Sequence, residues 1–536
     1  MPNFNQVLDP AGNMWLTVLA ALAPVVTLLV LLAVVRMTAW LASIIVGALT
    51  VVLGIAVWHA PASGILKSYL YGGLTGAWVI DWITFWGLVI FNTLVLTGDF
   101  ERFKNWLVHH ATADIRVQTI MLAWAFGALL EGLVGFGYPW AVVVPILVGL
   151  GIADLEAIRI AALANNAPVS YGALGAPILA LSVVTGLPLL ALSASVGNIV
   201  AVLALLPPWV LIYLVSGRQG LKEAWPLAIV GSLSYVAGQW PVAHCLGPCL
   251  PDLSGALVSF WVLFAFVKIW TPKPIRRFGG AELATADASN PEATISSRQA
   301  FSAWLPYIVL IAVVVAWTGP WSRLPAKSLF RLSVGARSSV THEPIASTFN
   351  FTPLGGGTSI FASWLLILAL IRPKATVIKG VFARTFQQMW GALLVAFFVF
   401  ALAYAFVYSG MANSLAFGFS KGGLLFVALA PILGWIGVAL SGSNTSTNAM
   451  FGPVQAVTGR LLNLPVLLLP SVNSLGAEVG KPIAPQTASV GVSTSRLVRS
   501  EGAVIRHNMG WTLILLGYLV LISLLFYFFL PRSMSL

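Results

Sequence analysis

Long apolar runs alternate with short polar connections along nearly the whole chain, at about 14–35, 38–58, 77–97, 118–153, 157–185, 188–216, 225–245, 253–270, 302–319, 357–372, 384–410, 423–460, 465–495 and 507–531. About 20 apolar residues cross the hydrocarbon of a bilayer as a helix. Backbone in lipid must satisfy its own polar groups, so helices are the predicted elements, and the polar-in alternation of a membrane barrel is absent. Four of the runs are interrupted by Gly, Pro, Asn, Ser and Thr: GALLEGLVGFGYP (127–139), NNAPVSYGALGAP (165–177), SGSNTSTNAMFGP (441–453) and NSLGAEVGKPIAP (473–485). They fall in two pairs, one in each half, and each ends in Pro. Paired interruptions at matching places in two halves point to a transporter binding site.

Side assignment organises the runs. Arg36, the connection with Arg102, Lys104 and Arg116, then Arg218 and Lys222, Lys268 to Arg277, Arg372 to Arg384 and Arg496 to Arg506 fall on one side, taken as inside. The resulting expectation is an all-α polytopic membrane protein of about 12 transmembrane helices plus two re-entrant hairpins in an inverted repeat. Hairpin 118–153 and broken span 157–185 lie in an N-terminal half (1–270), and hairpin 423–460 and broken span 465–495 in a C-terminal half (301–536). Both termini fall outside, and the polar stretch 271–300 reads as a mobile cytoplasmic linker. One loop runs against the rule: 320–356, placed outside, holds Arg323, Lys327, Arg331 and Arg337.

Composition agrees with the membrane reading. The chain of 536 residues is 59% hydrophobic and only 8% charged, against ~25% charged in soluble domains. Its net charge of +12 does not signal nucleic acid, because the basic residues sit in short connections between spans. The first 35 residues lack Lys and Arg, so no cleavable signal is expected. The two cysteines, Cys245 and Cys249, lie beside His244 in HCLGPC; they could pair in an oxidising compartment, but two Cys and one His make a poor metal signature. No metal and no cofactor is expected.

The breaks carry the chemistry. Half-helices ending at membrane depth offer free N–H groups and a positive dipole end to a carboxylate. Gly132, Gly135 and Gly137 allow close backbone approach, and Pro139 suits a helix start. Ser443, Asn444, Thr445, Ser446, Thr447 and Asn448 bring hydroxyl and amide groups fit for a hydroxy acid, with helix–helix glue as the structural alternative. Asn165, Asn166, Ser170, Asn473 and Gln486 share that argument. Three ionisable residues lie deep in apolar runs: Glu131, Asp81 and Lys481, each costing on the order of 2.5–3.5 kcal/mol or more if charged at mid-bilayer. A low-dielectric setting favours the neutral form of a carboxyl, so Glu131, at the first break, is the candidate proton carrier. Lys481 is placed to meet a substrate carboxylate, to pair with Glu478, or to snorkel. Asp81, between Trp78 and Trp82, reads as the weakest of the three, near an interface.

At these residues the chain resembles the lactate permeases. The resemblance runs through DPAGNMWL, TGDFERF, FGALLEGLVGFG, NNAPVSYGALGAPI, GRQGLKEAWP, GPCLPDL, GWIGVALSGSNTSTNAMF and GKPIAPQ. It implies uptake of lactate (L- and D-) or glycolate with protons, by a multi-pass protein of the bacterial inner (cytoplasmic) membrane. The family's Glu-Gly-x-x-Gly-Phe-Gly falls on Glu131 to Gly137, and its Asn-x-Ala-Pro on Asn165 to Pro168. The family commonly has Asp where this chain has Asn444, and a small residue in place of Tyr138. A sodium-coupled carboxylate symporter is the alternative, since Ser443-Asn444-Thr445 resembles the tips of dicarboxylate symporters. A passive channel is a further one. An intramembrane enzyme has no support, because His342-Glu343 is followed by Pro and lacks the second His of a zinc-protease helix.

Overall fold

Nearly every apolar run becomes helix. The computed structural model describes residues 4–110, 112–135, 137–282 and 297–536. Among these, seven helices are long and apolar enough to cross a membrane, from Met14–Leu32 to Glu501–Phe529. The pair Asp154–Ala164 and Val169–Thr185, bent by 67° at its break, counts as an eighth if it forms one span. The chain is thus an all-helical polytopic membrane protein. Its extra structure is a β-hairpin, Phe330–Arg337 paired antiparallel with Pro344–Phe351, in the long loop that the run pattern leaves as a plain connection.

All four expected breaks are present, with different extents. At the first break the helix ends after Leu133 and resumes at Tyr138, with Gly135 at φ +65 and Gly137 at +82, where a side chain would be strained. The first broken span departs furthest: helix ends at Ala164, a 3-10 turn covers Val169–Tyr171, and Ala173, Leu174 and Gly175 are left-handed. In the second half the breaks are narrower than the polar stretches. Only Gly442 and Ser443 separate Leu425–Ser441 from Asn444–Leu461, because Ser443 caps the new helix by accepting from Ser446 N–H. Likewise residues 473–480 stay helical, and the second broken span opens at a 3-10 turn, Lys481–Ile483, before Pro485–Ser493. The helical pieces flanking the second and fourth breaks, among them Asp154–Ala164 (11 residues), Leu468–Gly480 (13) and Pro485–Ser493 (9), are each about 20 Å or less, well short of a ~30 Å hydrocarbon layer.

The two expected halves interleave. Gly172–Thr185 packs on Asn444–Leu461, Leu189–Leu203 on Leu468–Gly480, and Tyr138–Gly149 on Pro485–Ser493, while Ala375–Ser409 lies along Ala39–Ala56 and Ala62–Thr75. Small residues permit the closest approach: a Cβ on Gly434 or Gly476 would strike the backbone oxygen of Asn473 or Pro431.

Contacts at the helix ends group the loops by face. Gln6 N–H donates to Arg337 O, and the Gln6 amide donates to Val407 O at 2.7 Å, so the N-terminal segment, the β-hairpin and the end of Ala375–Ser409 share one face. The first part of the expected linker is docked rather than loose. Arg276 chelates Glu223 with two bonds of 2.7 Å, and Glu223 also meets the buried Arg116, itself paired with Asp114 at 2.6 Å. The two guanidinium groups, Arg276 foremost, pull the Glu223 carboxyl down to about 2. Residues 283–296 of that linker lie outside the described residues. Cys245 and Cys249 are free thiols.

Candidate functional site

The four breaks meet around one cavity of about 390 Å³. Each contributes: Tyr138 at the helix start after the first break, Gly172 and Ala173 at the left-handed stretch of the second, Asn444 to Ser446 at the helix start after the third, and Gln486 and Thr487 at the helix start after the fourth. Helix starts carry unpaired N–H groups and partial positive charge, so their convergence suits an anion. The remaining wall comes from the long helices, through Ile80, Asp81, Thr84 and Gln388.

At the heart of the site stands an ion pair between the halves. Lys481 Nζ lies 2.7 Å from Glu131 Oε1, with 7% and 2% of the two side chains exposed. Asn165 donates to the other carboxylate oxygen at 2.9 Å. Gly172 makes room for this arrangement, since a Cβ there would stand 2.5 Å from Glu131 Oε1 and 3.0 Å from Glu131 Cγ. Lys481 therefore pairs with Glu131 and not with Glu478, whose Oε2 instead accepts from the backbone N–H of Ser170 at 2.9 Å. Lys481 is the one cation lining the cavity among the described residues.

The other expected site residues divide by position. Gly135, Ser443, Asn444, Thr445, Ser446 and Gln486 line the cavity beside Glu131 and Lys481. Asn448, Asn473 and Ser170 lie behind it in a buried amide and hydroxyl network: Asn473 donates to Asn448 Oδ1 (3.0 Å), Asn448 to Ser474 Oγ and to Pro177 O (both 3.0 Å), and Ser170 Oγ meets Ser474 Oγ (3.2 Å). This network satisfies carbonyls that the broken helices free and holds the breaks in register. Asn444 donates to Ser474 O at 3.2 Å, fastening the second tip to the same network. Gly132 instead packs on Asp252, and Gly137 turns toward Thr487 and Val490. Asn166 is fully buried, and neither end of its amide has a hydrogen-bond partner among the described residues.

Sequence reasoning did not find Gln388, Thr84 or Asp252. Gln388 lines the cavity, and its Oε1 accepts from Asn92 at 2.8 Å. Asp252 accepts from Tyr235 OH at 2.9 Å behind the first tip. Gln388 and Thr84 lie in apolar runs without a break to mark them, and Asp252 falls in GPCLPDL, between two runs. Asp81 is more central than its expected interfacial place: it is buried and lines the cavity. Tyr138 lines it too, its ring edge-on to Phe91 at 5.2 Å.

A polar, charge-paired cavity between broken helices inside a polytopic bundle defines a membrane transport protein. The comparisons agree on the kind. The L-lactate permease family model matches residues 17–530, and the chain belongs to that family. It is 32% identical to the glycolate permease of Escherichia coli K12, covering 98% of both chains, and 30% identical to the L-lactate permease of the same organism, covering 95% of this chain and 96% of that one. Among solved structures it is similar to the YdaH transporter of Alcanivorax borkumensis (TM-score 0.47, 17% identity, 96% of this chain and 99% of that one), too distantly to bear on the site.

Proposed function

We propose that this protein imports lactate and glycolate together with protons across a bacterial inner membrane, acting as a carrier rather than a catalyst. The observation that supports this reading most is the Glu131–Lys481 pair on the cavity wall. While the pair is closed, the charge of Lys481 is already met, and an incoming carboxylate must compete with Glu131 for it. A proton on Glu131 removes that competitor and frees Lys481 for the substrate. Proton and carboxylate taken together leave the net charge of the site unchanged. Either one alone leaves a buried charge uncompensated, at several kcal/mol. The hydroxyls of Ser443, Thr445 and Ser446 and the amides of Gln486 and Gln388 are placed to serve the substrate hydroxyl. Sodium coupling is the competing reading, and no cation but a proton is needed to balance the pair.

Reconstituted liposomes test this directly. Labelled lactate is expected to accumulate under an inward proton gradient and to show no response to an inward sodium gradient of equal size. Accumulation driven by sodium would overturn proton coupling, and equilibration without accumulation would make the protein a passive channel.

We further propose the two-hairpin inverted repeat for the membrane topology, with 271–300 inside and 320–356 outside. In a background lacking Cys245 and Cys249, a cysteine at Ser500 should react with an impermeant maleimide only from the cytoplasmic side. A cysteine at Ser339, in the turn of the β-hairpin, should react only from the outside. Cytoplasmic labelling at Ser339 would overturn the topology.

A further inference from the structure

A second cavity, of about 510 Å³, lies where the helices Trp82–Thr97 and Gly356–Ile371 end and Ala375–Ser409 begins, and it shares no lining residue with the central site. Part of its wall is apolar, from Leu305, Ile367, Leu370, Ile371 and Val377, and the rest carries Arg102, Arg372 and Lys374. One acid also lines it, and that acid is already engaged. Asp99 accepts from Arg102 at 2.8 Å with one oxygen and from Thr97 Oγ1 at 2.7 Å with the other. Arg372 and Lys374 are exposed and have no acidic partner among the described residues, and Arg372 donates through Nε to Ala369 O at 3.2 Å. Two positive charges in the cavity are thus unmatched.

Their placement is unfavourable for the protein alone. Lys374 caps the helix Ala375–Ser409 without any side-chain capping bond, and the first turn of that helix holds no acid. A helix start carries unpaired N–H groups and partial positive charge, so it favours acids and disfavours cations. An anion held by Arg372, Lys374 and this helix start would reverse the balance. The apolar wall indicates what that anion is attached to. Leu366 and Leu370, on the helix that ends at Arg372, are 50% and 52% exposed, so the cavity stands where an apolar outer surface of a membrane helix meets its cationic end. A free phosphate gains nothing from that surface, whereas a phospholipid sets its phosphate on the cations and its acyl chains on the leucines. Basic pockets between membrane helices take anionic headgroups in this way.

We propose that this cavity binds one anionic phospholipid, with the phosphate between Arg372 and Lys374 and the acyl chains over Leu366 and Leu370. Native mass spectrometry tests it on purified full-length protein, delipidated in detergent and titrated with dioleoylphosphatidylglycerol or dioleoylphosphatidylcholine. Wild type is expected to retain one phosphatidylglycerol in preference to phosphatidylcholine. Arg372→Gln and Lys374→Gln should each weaken that lipid by about fivefold, and the double variant by about 30-fold. Lys379→Gln removes the same charge from the same helix outside the cavity and should leave retention unchanged. Glycerol 3-phosphate, which has the headgroup chemistry without acyl chains, should not displace the lipid at equal concentration. The proposal is overturned if wild type holds both lipids alike, if the folded double variant keeps the preference, or if Lys379→Gln loses as much as Arg372→Gln. Displacement by glycerol 3-phosphate would also overturn it, making the cavity a site for a soluble phosphate. The two wild-type comparisons decide the matter even where a variant fails to fold.

Discussion

Glu131→Gln is expected to abolish lactate accumulation driven by a pH gradient while sparing lactate–lactate exchange. The amide copies the neutral carboxyl in size but cannot release a proton on the far side, so net coupled movement loses its driving ion. It also carries no charge to hold Lys481, which in wild type is engaged at 2.7 Å. The variant should therefore bind lactate at least as tightly as wild type, with an affinity that no longer rises as pH falls. Counterflow in preloaded liposomes reads the exchange, and an imposed pH gradient reads the accumulation. Retained pH-driven accumulation removes Glu131 from the coupling path. Loss of both activities in a well-folded variant makes it a shaping residue of the site.

Lys481→Met should have the opposite character. Removing one partner of a buried pair costs ~3–5 kcal/mol, because the other charge stays behind. Here the loss falls on substrate as well, since Lys481 is the sole cation lining the cavity among the described residues. Half-saturation for lactate should rise by ~100-fold or more. The double variant Glu131→Gln, Lys481→Met should recover thermal stability relative to Lys481→Met alone, yet stay equally poor in lactate binding. Recovery of binding in the double variant would show that Lys481 serves only to neutralise Glu131.

Much of this site is readable from residue types because breaks at membrane depth use a restricted vocabulary. Gly135, Gly137, Gly175 and Gly442 adopt positive φ, and Pro139 and Pro485 sit in the first turn of new helices. Such residues in apolar runs have few other uses. The partner of Lys481 was not readable, because Glu478 is three residues away and Glu131 is 350. Sequence proximity favours the wrong carboxylate, and only the interleaving of the halves selects the right one. Asn448 and Asn473 look like ligand groups for the same reason that they make good braces: both roles ask for amides in a dry interior. Asp81 ends a π turn, Gly76–Asp81, which leaves no sign in composition. The β-hairpin at Phe330–Phe351 was hidden in a loop whose Arg and Lys content drew attention to sidedness instead. The helix Ala62–Thr75, interrupted by Lys67 and rich in Gly and Ser, falls outside the apolar runs yet continues into the span that follows.

A pairing over 350 residues also has a schedule. At a synthesis rate of ~5–20 residues per second, the ribosome needs roughly 20 to 70 s after making Glu131 before Lys481 exists. For that interval the nascent N-terminal portion carries an acidic group destined for the bilayer interior without its counter-charge. The segment Phe126–Leu133 must wait in its neutral state or at the aqueous edge of the insertion machinery until the C-terminal portion arrives. Biogenesis is thus expected to wait on about the last tenth of the chain, and a chain truncated before Lys481 should be handed to quality-control proteases even though its preceding spans are apolar enough to insert.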